Sequence, residues 1–271
     1  VVMVRVIPGE QLPEGGKPAD LAEKLRPLTS LAHPHIVPIR KIDTIDDGLY
    51  FAWDQMAGGS LADRLKSGPI PPPEAIKMLA QVGRALDFLH QHSLLHLDVR
   101  PQSILFDETG SAYLANFGLT RWIQGRKQVA QHGMVLGAVS HIAPETINGE
   151  PPSHYADIYA LGVTVFQTLT GDLPFPASDP TNAIMAHMTK LVPNPTDYNM
   201  DLPPDLRPII TKAMAKAPLD RYKTAEALTS DLRKALREVL MPPEASESKD
   251  APAAPEDKPG LGRLFKRRKR D

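Results

Sequence analysis

The first part of the chain places short apolar runs between turn residues, a pattern typical of β-strands. Residues 1–7 form a β-branched apolar run that predicts a strand. Two further strands are predicted over residues 36–42 and 49–53, because Asp46-Asp47-Gly48 between them is a hairpin turn sequence. The pattern therefore predicts a small β-sheet at the start of the chain.

Helical periodicity appears once near the start and dominates the chain after residue 72. Leucines at steps of four and three predict an amphipathic helix over residues 20–32, which Pro27 should kink or shorten. Residues 157–170 are apolar around most of a helix circumference, which suits a helix buried at the centre of a helical body. After Leu240 the apolar pattern gives way to proline, alanine and charged residues, so the tail is predicted to be disordered. Further predicted elements are helices over residues 60–66, from residue 72, over 206–216 and over 224–239, and short strands over 104–106 and 112–115.

Composition and charge restrict the classes of function. The 271 residues suffice for one large two-lobed domain. A net charge of -1 argues against nucleic-acid binding, and the absence of cysteine excludes disulfides and thiolate metal sites. No apolar run in the sequence is long enough to cross a bilayer and no signal peptide opens it, so a cytoplasmic location is expected.

Three short motifs follow one another in the middle of the chain. They are His96-Leu97-Asp98-Val99-Arg100-Pro101, Asn116-Phe117-Gly118 and Ala143-Pro144-Glu145. Their order and spacing resemble the catalytic core of protein kinases, where the motifs are His-Arg-Asp-Leu-Lys-Pro-x-x-Asn, Asp-Phe-Gly and Ala-Pro-Glu. The resemblance to Ser/Thr kinases covers roughly residues 1–240 and implies an α+β, two-lobed fold. It divides the chain into a partial β-rich small lobe (1–56), a mainly helical large lobe (57–240) and a tail (241–271).

The resemblance implies a catalytic site whose charged parts have changed. In protein kinases the Asp of Asp-Phe-Gly and the catalytic-loop Asn hold Mg²⁺, and those positions here carry Asn116 and Ser103. Both side chains are neutral, whereas a hard cation depends on anionic oxygens, so the metal site is predicted to be degraded. Asp98 remains at the position of the catalytic base, although a structural role in the loop is favoured for it. Arg100 replaces the loop lysine, and Ala138 lacks the hydroxyl that usually links its segment to the catalytic Asp.

The resemblance also implies where a nucleotide would lie. Arg5 occupies the position of the strand lysine that contacts the α- and β-phosphates, and Lys24 that of the helix glutamate that normally pairs with it. The two cations would either hold an anion together or point apart into solvent, and the second arrangement is favoured. Trp53 aligns with the gatekeeper, where its indole would narrow the adenine pocket, and Asp54 and Met56 align with the hinge.

A glycine-rich phosphate loop is missing from this sequence. Gly9, Gly15 and Gly16 follow the first strand instead of preceding it, and their spacing differs from the kinase pattern. Two strands of the kinase small lobe are missing together with the loop. The sequence is therefore either a fragment or a kinase with a reduced lobe, and both interpretations stay open.

Other matching positions are expected to support the fold. By resemblance, His96, Phe117 and Leu28 form the apolar spine of the domain. Asp157 and an ion pair between Glu145 and Arg221 are expected to brace the large lobe.

These replacements predict a pseudokinase, a Ser/Thr-kinase-like domain that regulates or scaffolds protein partners in signalling and transfers phosphate poorly or not at all. Two alternatives stay open: an active Ser/Thr protein kinase with an atypical metal site, and a metal-independent nucleotide sensor. ATP is the one cofactor that the resemblance suggests, with a weak magnesium requirement or none. The basic run of residues 263–270 is expected to be a solvated tail, with contact to an anionic membrane surface or an acidic partner as the alternative.

Overall fold

The protein has an antiparallel sheet at one end and a helical body at the other. The computed structural model describes residues 1–12, 17–116, 139–176 and 179–237. The sheet contains strands β1 (Val2–Ile7), β2 (Ile39–Ile45) and β3 (Gly48–Asp54), with helix α1 (Pro18–Leu25) between β1 and β2. The helical body contains α2 (Leu61–Leu65), α3 (Pro72–Gln91), the hairpin β4 (Ile104–Phe106) and β5 (Ala112–Leu114), α4 (Pro144–Ile147), α5 (His154–Thr170), α6 (Pro180–Thr189), α7 (Leu206–Ala213) and α8 (Ala225–Ala235).

The three strands of the small sheet lie in the order β1-β3-β2, and both pairs are antiparallel. The hairpin between β2 and β3 closes at the pair Ile45 and Gly48, with Asp46 at a φ of 50°, a left-handed conformation that aspartate tolerates better than most residues. The turn forms where the sequence predicted it. The second strand was misplaced, however, since it begins at Ile39 rather than at residue 36.

The displaced start of β2 has a physical cause in the other lobe. Ile36 forms a parallel bridge with Leu114 of β5, and the Val37 N–H donates to the Leu114 carbonyl at 3.0 Å. Pro38 then has no N–H to give to a ladder. The backbone of this segment therefore joins the helical body before it enters the sheet.

Helix α1 is shorter than the sequence pattern suggested. The predicted helix over residues 20–32 ends at Leu25, and a 3₁₀ segment (Arg26–Ser30) continues the chain. Pro27 explains the change, because its ring removes a backbone N–H from the hydrogen-bond ladder of an α-helix. Ala22 and Leu25 are buried, and Leu28 in the 3₁₀ segment packs against the same core.

Helix α5 lies at the centre of the helical body, as its apolar circumference predicted. Nearly all of its side chains are buried. A Cβ added to Gly162 would lie 2.9 Å from Ala213 Cβ, so glycine is needed for the close approach of α5 and α7. The predicted helix over residues 206–216 ends at Ala213, and the predicted helix over 224–239 corresponds to α8.

A tight crossing at Gly58 connects the sheet to the helical body. The Gly58 N–H donates to the Phe106 carbonyl at 2.8 Å, and the Phe106 N–H donates to the Gly59 carbonyl at 2.9 Å. A Cβ at Gly58 would lie only 2.5 Å from the Asp107 carbonyl oxygen. Two lobes joined in this way confirm the predicted α+β fold with a β-rich small lobe and a mainly helical large lobe. In the described ranges, no helix is long and apolar enough to cross a membrane.

Candidate functional site

Asp157, at the start of α5, holds the loop that carries the first motif. Its carboxylate accepts the backbone N–H of His96 at 2.9 Å and that of Leu97 at 2.6 Å, and it lies 2.8 Å from His90 Nε2. Leu97 has a φ of 58°, an unfavourable conformation for leucine that has to be stabilised by its surroundings. The two backbone hydrogen bonds to Asp157 supply that support, and they position the neighbouring Asp98 in the loop.

His96 joins this loop to the end of β5. Its ring is fully buried, Nε2 donates to the Ala115 carbonyl at 2.8 Å, and Nδ1 accepts the Asp98 N–H at 3.2 Å. Burial lowers the pKa of His96, so the ring stays neutral and both hydrogen bonds persist at physiological pH. His96 therefore fixes the spacing between Asp98 and Asn116, which follows Ala115.

The two carboxylate oxygens of Asp98 both contact other residues of the loop. Oδ1 lies 2.9 Å from Arg100 Nε, and Oδ2 accepts a hydrogen bond from Ser103 Oγ at 3.3 Å. The Arg100 Nε–H is not aligned for a hydrogen bond, so this contact is an ion pair. Both charged side chains are about 80% shielded from solvent, so their mutual attraction is not greatly screened by water. The charge of Asp98 is therefore balanced inside the loop.

The two positions expected to hold a metal are occupied by neutral groups with partners in the loop. Ser103 is fully buried, and its hydroxyl donates to Asp98. Asn116 Nδ2 donates to the Gln102 carbonyl at 3.3 Å, and its φ of 60° is one that asparagine tolerates. Mg²⁺ is usually bound through one or two carboxylates together with phosphate oxygens, and the one carboxylate among these three groups, Asp98, is already paired with Arg100, so the set fits Mg²⁺ poorly. In the described part of the chain, no group of three or more His, Cys, Asp or Glu could hold a metal ion.

The positions expected to contact a nucleotide lie along β1, α1 and β3. Arg5 lies opposite Phe51 in the sheet, and both Arg5 and Lys24 are exposed. Trp53 is half-buried and packs against the main core.

The hinge positions follow directly after Trp53. The Asp54 carboxylate accepts two hydrogen bonds from the Arg40 guanidinium, at 2.8 and 2.6 Å. Those bonds hold the pKa of Asp54 below its usual value. Met56 is half-buried. The only charged hinge side chain is therefore already paired within the small sheet.

The expected bracing pair is formed by two buried side chains. Arg221 Nη1 and Nη2 each lie 2.7 Å from one oxygen of Glu145, and the two residues are 3% and 4% exposed. Arg221 also donates to the carbonyls of Ala215, Tyr155 and Lys216 at 2.8–3.0 Å. All five guanidinium donors therefore have partners.

Part of the expected site lies outside the described residues. These positions are Phe117 of the expected spine, Gly118, Ala138 and the basic run 263–270. His96 and Leu28, the other expected spine residues, both belong to the interior of the domain.

One residue near Asp98 was missed by the sequence analysis. His141 is 8% exposed, and it lines a small cavity together with Asp98 and Thr146. Burial, together with the nearby His187 and Arg100, lowers the pKa of His141 to about 3. The only signal in the sequence was its place two residues before Ala143-Pro144-Glu145.

Comparisons with known proteins agree with this architecture. The chain is 32% identical over 208 residues to the serine/threonine-protein kinase PrkC of Bacillus subtilis, covering 76% of this chain and 32% of that protein. It is 32% identical over 221 residues to the serine/threonine-protein kinase PknH of Mycobacterium tuberculosis, covering 81% of this chain and 34% of that protein. The chain thus spans about a third of the length of these relatives.

A solved structure and a family model lead to the same assignment. The crystal structure of the Mycobacterium tuberculosis PknI kinase domain matches with a TM-score of 0.65 and 22% sequence identity, covering 86% of this chain and 85% of that one. At this identity the match shows the fold alone. The family model described as the protein kinase domain matches residues 5–232. Since that match spans most of the sequence, the chain belongs to the protein kinase domain family.

Proposed function

We propose that this domain is a pseudokinase, which acts as a regulatory or scaffold protein in signalling and transfers phosphate weakly or not at all. The observation that carries the proposal is the closed arrangement of Asp98 with Arg100 and Ser103. The group at the position of the catalytic base is engaged by its own loop, and the groups at the metal positions are neutral.

Charge neutralisation is the main requirement of phosphoryl transfer, because the transferred group and the leaving group are both anionic. A bound cation supplies several kcal/mol of transition-state stabilisation. A loss of about 4 kcal/mol slows the reaction on the order of a thousandfold. Arg100 does not replace the metal, since its charge is balanced by Asp98.

The alternative of an active Ser/Thr kinase has one supporting observation. Asp98 keeps the position of the base, and its partner Arg100 lies 2.9 Å away. A bound phosphate could draw the Arg100 side chain toward itself and release the Asp98 carboxylate. In that case Asn116 would have to serve as a weak metal ligand, and its amide would have to give up its bond to Gln102. The scaffold proposal requires no such rearrangement and is therefore preferred.

Protein partners are proposed because protein kinases act on proteins and the helical body retains its braced structure. In this proposal residues 57–240 form the large lobe that presents the binding surface, and residues 1–56 form the partial small lobe. The bidentate Glu145–Arg221 pair keeps part of that surface in shape without nucleotide.

Magnesium dependence of ATP binding tests the proposal. Thermal unfolding of the full-length protein should shift little with ATP, and the shift should be the same with and without Mg²⁺, because Ser103 and Asn116 offer no anionic oxygen. The double variant Ser103→Asn with Asn116→Asp should gain a magnesium-dependent shift of several degrees.

A charge-matched control is available on α6. Asn182 is exposed, so Asn182→Asp adds the same negative charge away from the site and should create no magnesium dependence. A clear magnesium-dependent stabilisation of the parent protein would contradict the proposal and favour the active-kinase alternative.

A further inference from the structure

A small cavity lies behind the catalytic loop, beside Asp98. It is enclosed by that loop, by the segment that enters α4 and by the first turns of α5, with apolar walls that include Val99, Ala156 and Ala160. The space open to the centre of a water-sized sphere is about 10 Å³, close to the minimum that one water molecule requires. A nucleotide or a peptide side chain is far too large for it.

Two side chains that line this cavity have a buried polar atom without a hydrogen-bond partner in the described part of the chain. They are His141, through Nε2, and Thr146, through Oγ1. Buried polar atoms in folded proteins nearly always have a partner, in the protein or in ordered water. Two residues with such atoms in the lining of one cavity are therefore candidates to bind the same small ligand.

The charges around the cavity select a neutral ligand. His141 is neutral at physiological pH because burial lowers its pKa to about 3, with His187 and Arg100 adding to the effect. Arg100 and Asp98 balance each other's charge, so their pair favours neither a cation nor an anion in the cavity. A neutral molecule that both donates and accepts hydrogen bonds matches a hydroxyl on one side and an imidazole nitrogen on the other.

We propose that this cavity holds one ordered water molecule, hydrogen-bonded to His141 Nε2 and Thr146 Oγ1, that connects the catalytic loop to the segment entering α4. Buried waters typically make about three hydrogen bonds, and Asp98 is the remaining polar residue of the lining. In the kinase pattern a hydroxyl at the position of Ala138 makes a comparable link. Here the water restores the connection from His141, three residues further along.

A direct contact with Gln167 is the competing arrangement. A side-chain hydrogen bond with Gln167 on α5 opposes the lowering of the His141 pKa, although neither Gln167 Oε1 nor His141 Nε2 has a partner in well-aligned hydrogen-bond geometry among the described residues. A small rotation would join Gln167 to His141 directly. Such a bond would satisfy His141 and leave Thr146 unaffected, so substitutions at Thr146 distinguish the two arrangements.

The sign of the stability change in Thr146→Val separates a water-filled cavity from a dry one. Valine has the shape of threonine and removes only the hydroxyl. If the water is present, it loses a hydrogen bond, and the unfolding equilibrium constant in urea should rise about fivefold, the typical effect of one such bond. If the cavity is dry, valine removes a buried unsatisfied hydroxyl, and the constant should stay the same or fall.

Direct detection of the water completes the test and does not depend on how the variants fold. A crystal structure of the parent protein should show a density peak within hydrogen-bond distance of both atoms, and NMR should show a cross-peak between water and His141 Hε1. Thr146→Ser, which keeps the hydroxyl, and Gln167→Leu should retain the cross-peak, whereas Thr146→Val should lose it. Absence of the density and of the cross-peak in the parent, or a Thr146→Val constant no higher than the parent's, overturns the proposal.

Discussion

At the scale of single residues, the two positions that the kinase pattern assigns to metal ligands carry neutral side chains, Ser103 and Asn116. Ser103 and Asn116 fit the backbone at their positions, and each uses a polar atom to bond the loop itself. Asp98 is the one carboxylate among them, and Arg100 balances it. Under the proposed function, these side chains hold the loop in a kinase-like arrangement and supply few ligand oxygens to a divalent cation.

Two of the buried histidines, His141 and His187, should make the helical body sensitive to acid. Burial lowers the pKa of His141 to about 3 and that of His187 to about 4, from 6.5. Arg100 and His187 oppose protonation of His141, whereas Gln167 favours it weakly. Lys216 opposes protonation of His187, whereas the Ser140 backbone favours it weakly. The unfolded chain therefore binds more protons than the folded one below pH 6.5.

The free energy of unfolding should consequently fall as the pH drops below about 6.5, with each of these histidines costing about 2 kcal/mol at pH 5. Urea unfolding at pH 8 and pH 5 measures the loss. The double variant His141→Gln with His187→Gln should lose about 4 kcal/mol less than the parent between the two pH values.

His92 provides the matched control for this experiment, since it is exposed at the end of α3. His92→Gln should leave the pH dependence as it is in the parent. Equal losses in the parent and in the double variant would show that neither buried ring governs the acid response.

At the scale of elements, the helical body is joined by polar contacts between segments that are distant in sequence. Asp157 on α5 fixes the catalytic loop, and Thr164 about two turns further on donates to the Val99 carbonyl at 3.3 Å. Glu145 on α4 binds Arg221, which precedes α8. These contacts are buried, so each depends on its partner being present.

Arg221→Ala should therefore destabilise the protein strongly. It leaves the buried Glu145 carboxylate without its partner, which costs on the order of 3–5 kcal/mol. For a chain of this size the melting temperature should fall by on the order of 10 °C. Differential scanning calorimetry measures the change.

An exposed pair of the same chemistry serves as the comparison. Arg40 and Asp54 also form a bidentate pair, but their side chains are 60% and 36% exposed. Arg40→Ala should change the melting temperature little, because exposed ion pairs contribute little to stability. Similar small effects of the two substitutions would contradict a bracing role for Arg221.

The sequence predicted the elements with strong periodicity and missed those that depend on tertiary contacts. The hairpin turn at Asp46 and the central helix α5 could be located from local pattern alone. Among the described residues, two helices were not predicted, α4 and α6; both begin with a proline, and α4 has only four residues. Their positions depend on packing that no periodicity reveals.

The same limit applies to the candidate site. The motifs located Asp98, Ser103 and Asn116, because their spacing follows the kinase pattern. The ion pair from Arg100 to Asp98 and the cavity beside His141 depend on side-chain directions, which the sequence does not carry. The charge of each site residue could therefore be predicted from the sequence, whereas the ion pair that neutralises Asp98 could not.

At the scale of the whole molecule, the proposed function separates the family fold from phosphotransfer chemistry. The braced helical body depends on Asp157, Glu145 and Arg221, none of which would touch a nucleotide. Chemistry would depend on Asp98 and on a metal that Ser103 and Asn116 are poorly suited to hold. A variant that changes only the second set should leave any scaffold function intact.

Asp98→Asn makes that separation, because asparagine keeps the shape of the side chain and still accepts one hydrogen bond from Ser103, while it removes the carboxylate at the position of the catalytic base. In a strain deleted for the gene, the variant should restore the parental phenotype as fully as the parent protein does, whereas Arg221→Ala, which weakens the fold, should not. Phosphorylation of a generic acceptor protein by the purified parent should be no higher than by Asp98→Asn. If a stably folded Asp98→Asn protein fails to complement and substrate phosphorylation disappears with it, the domain is an active kinase and the scaffold proposal is wrong.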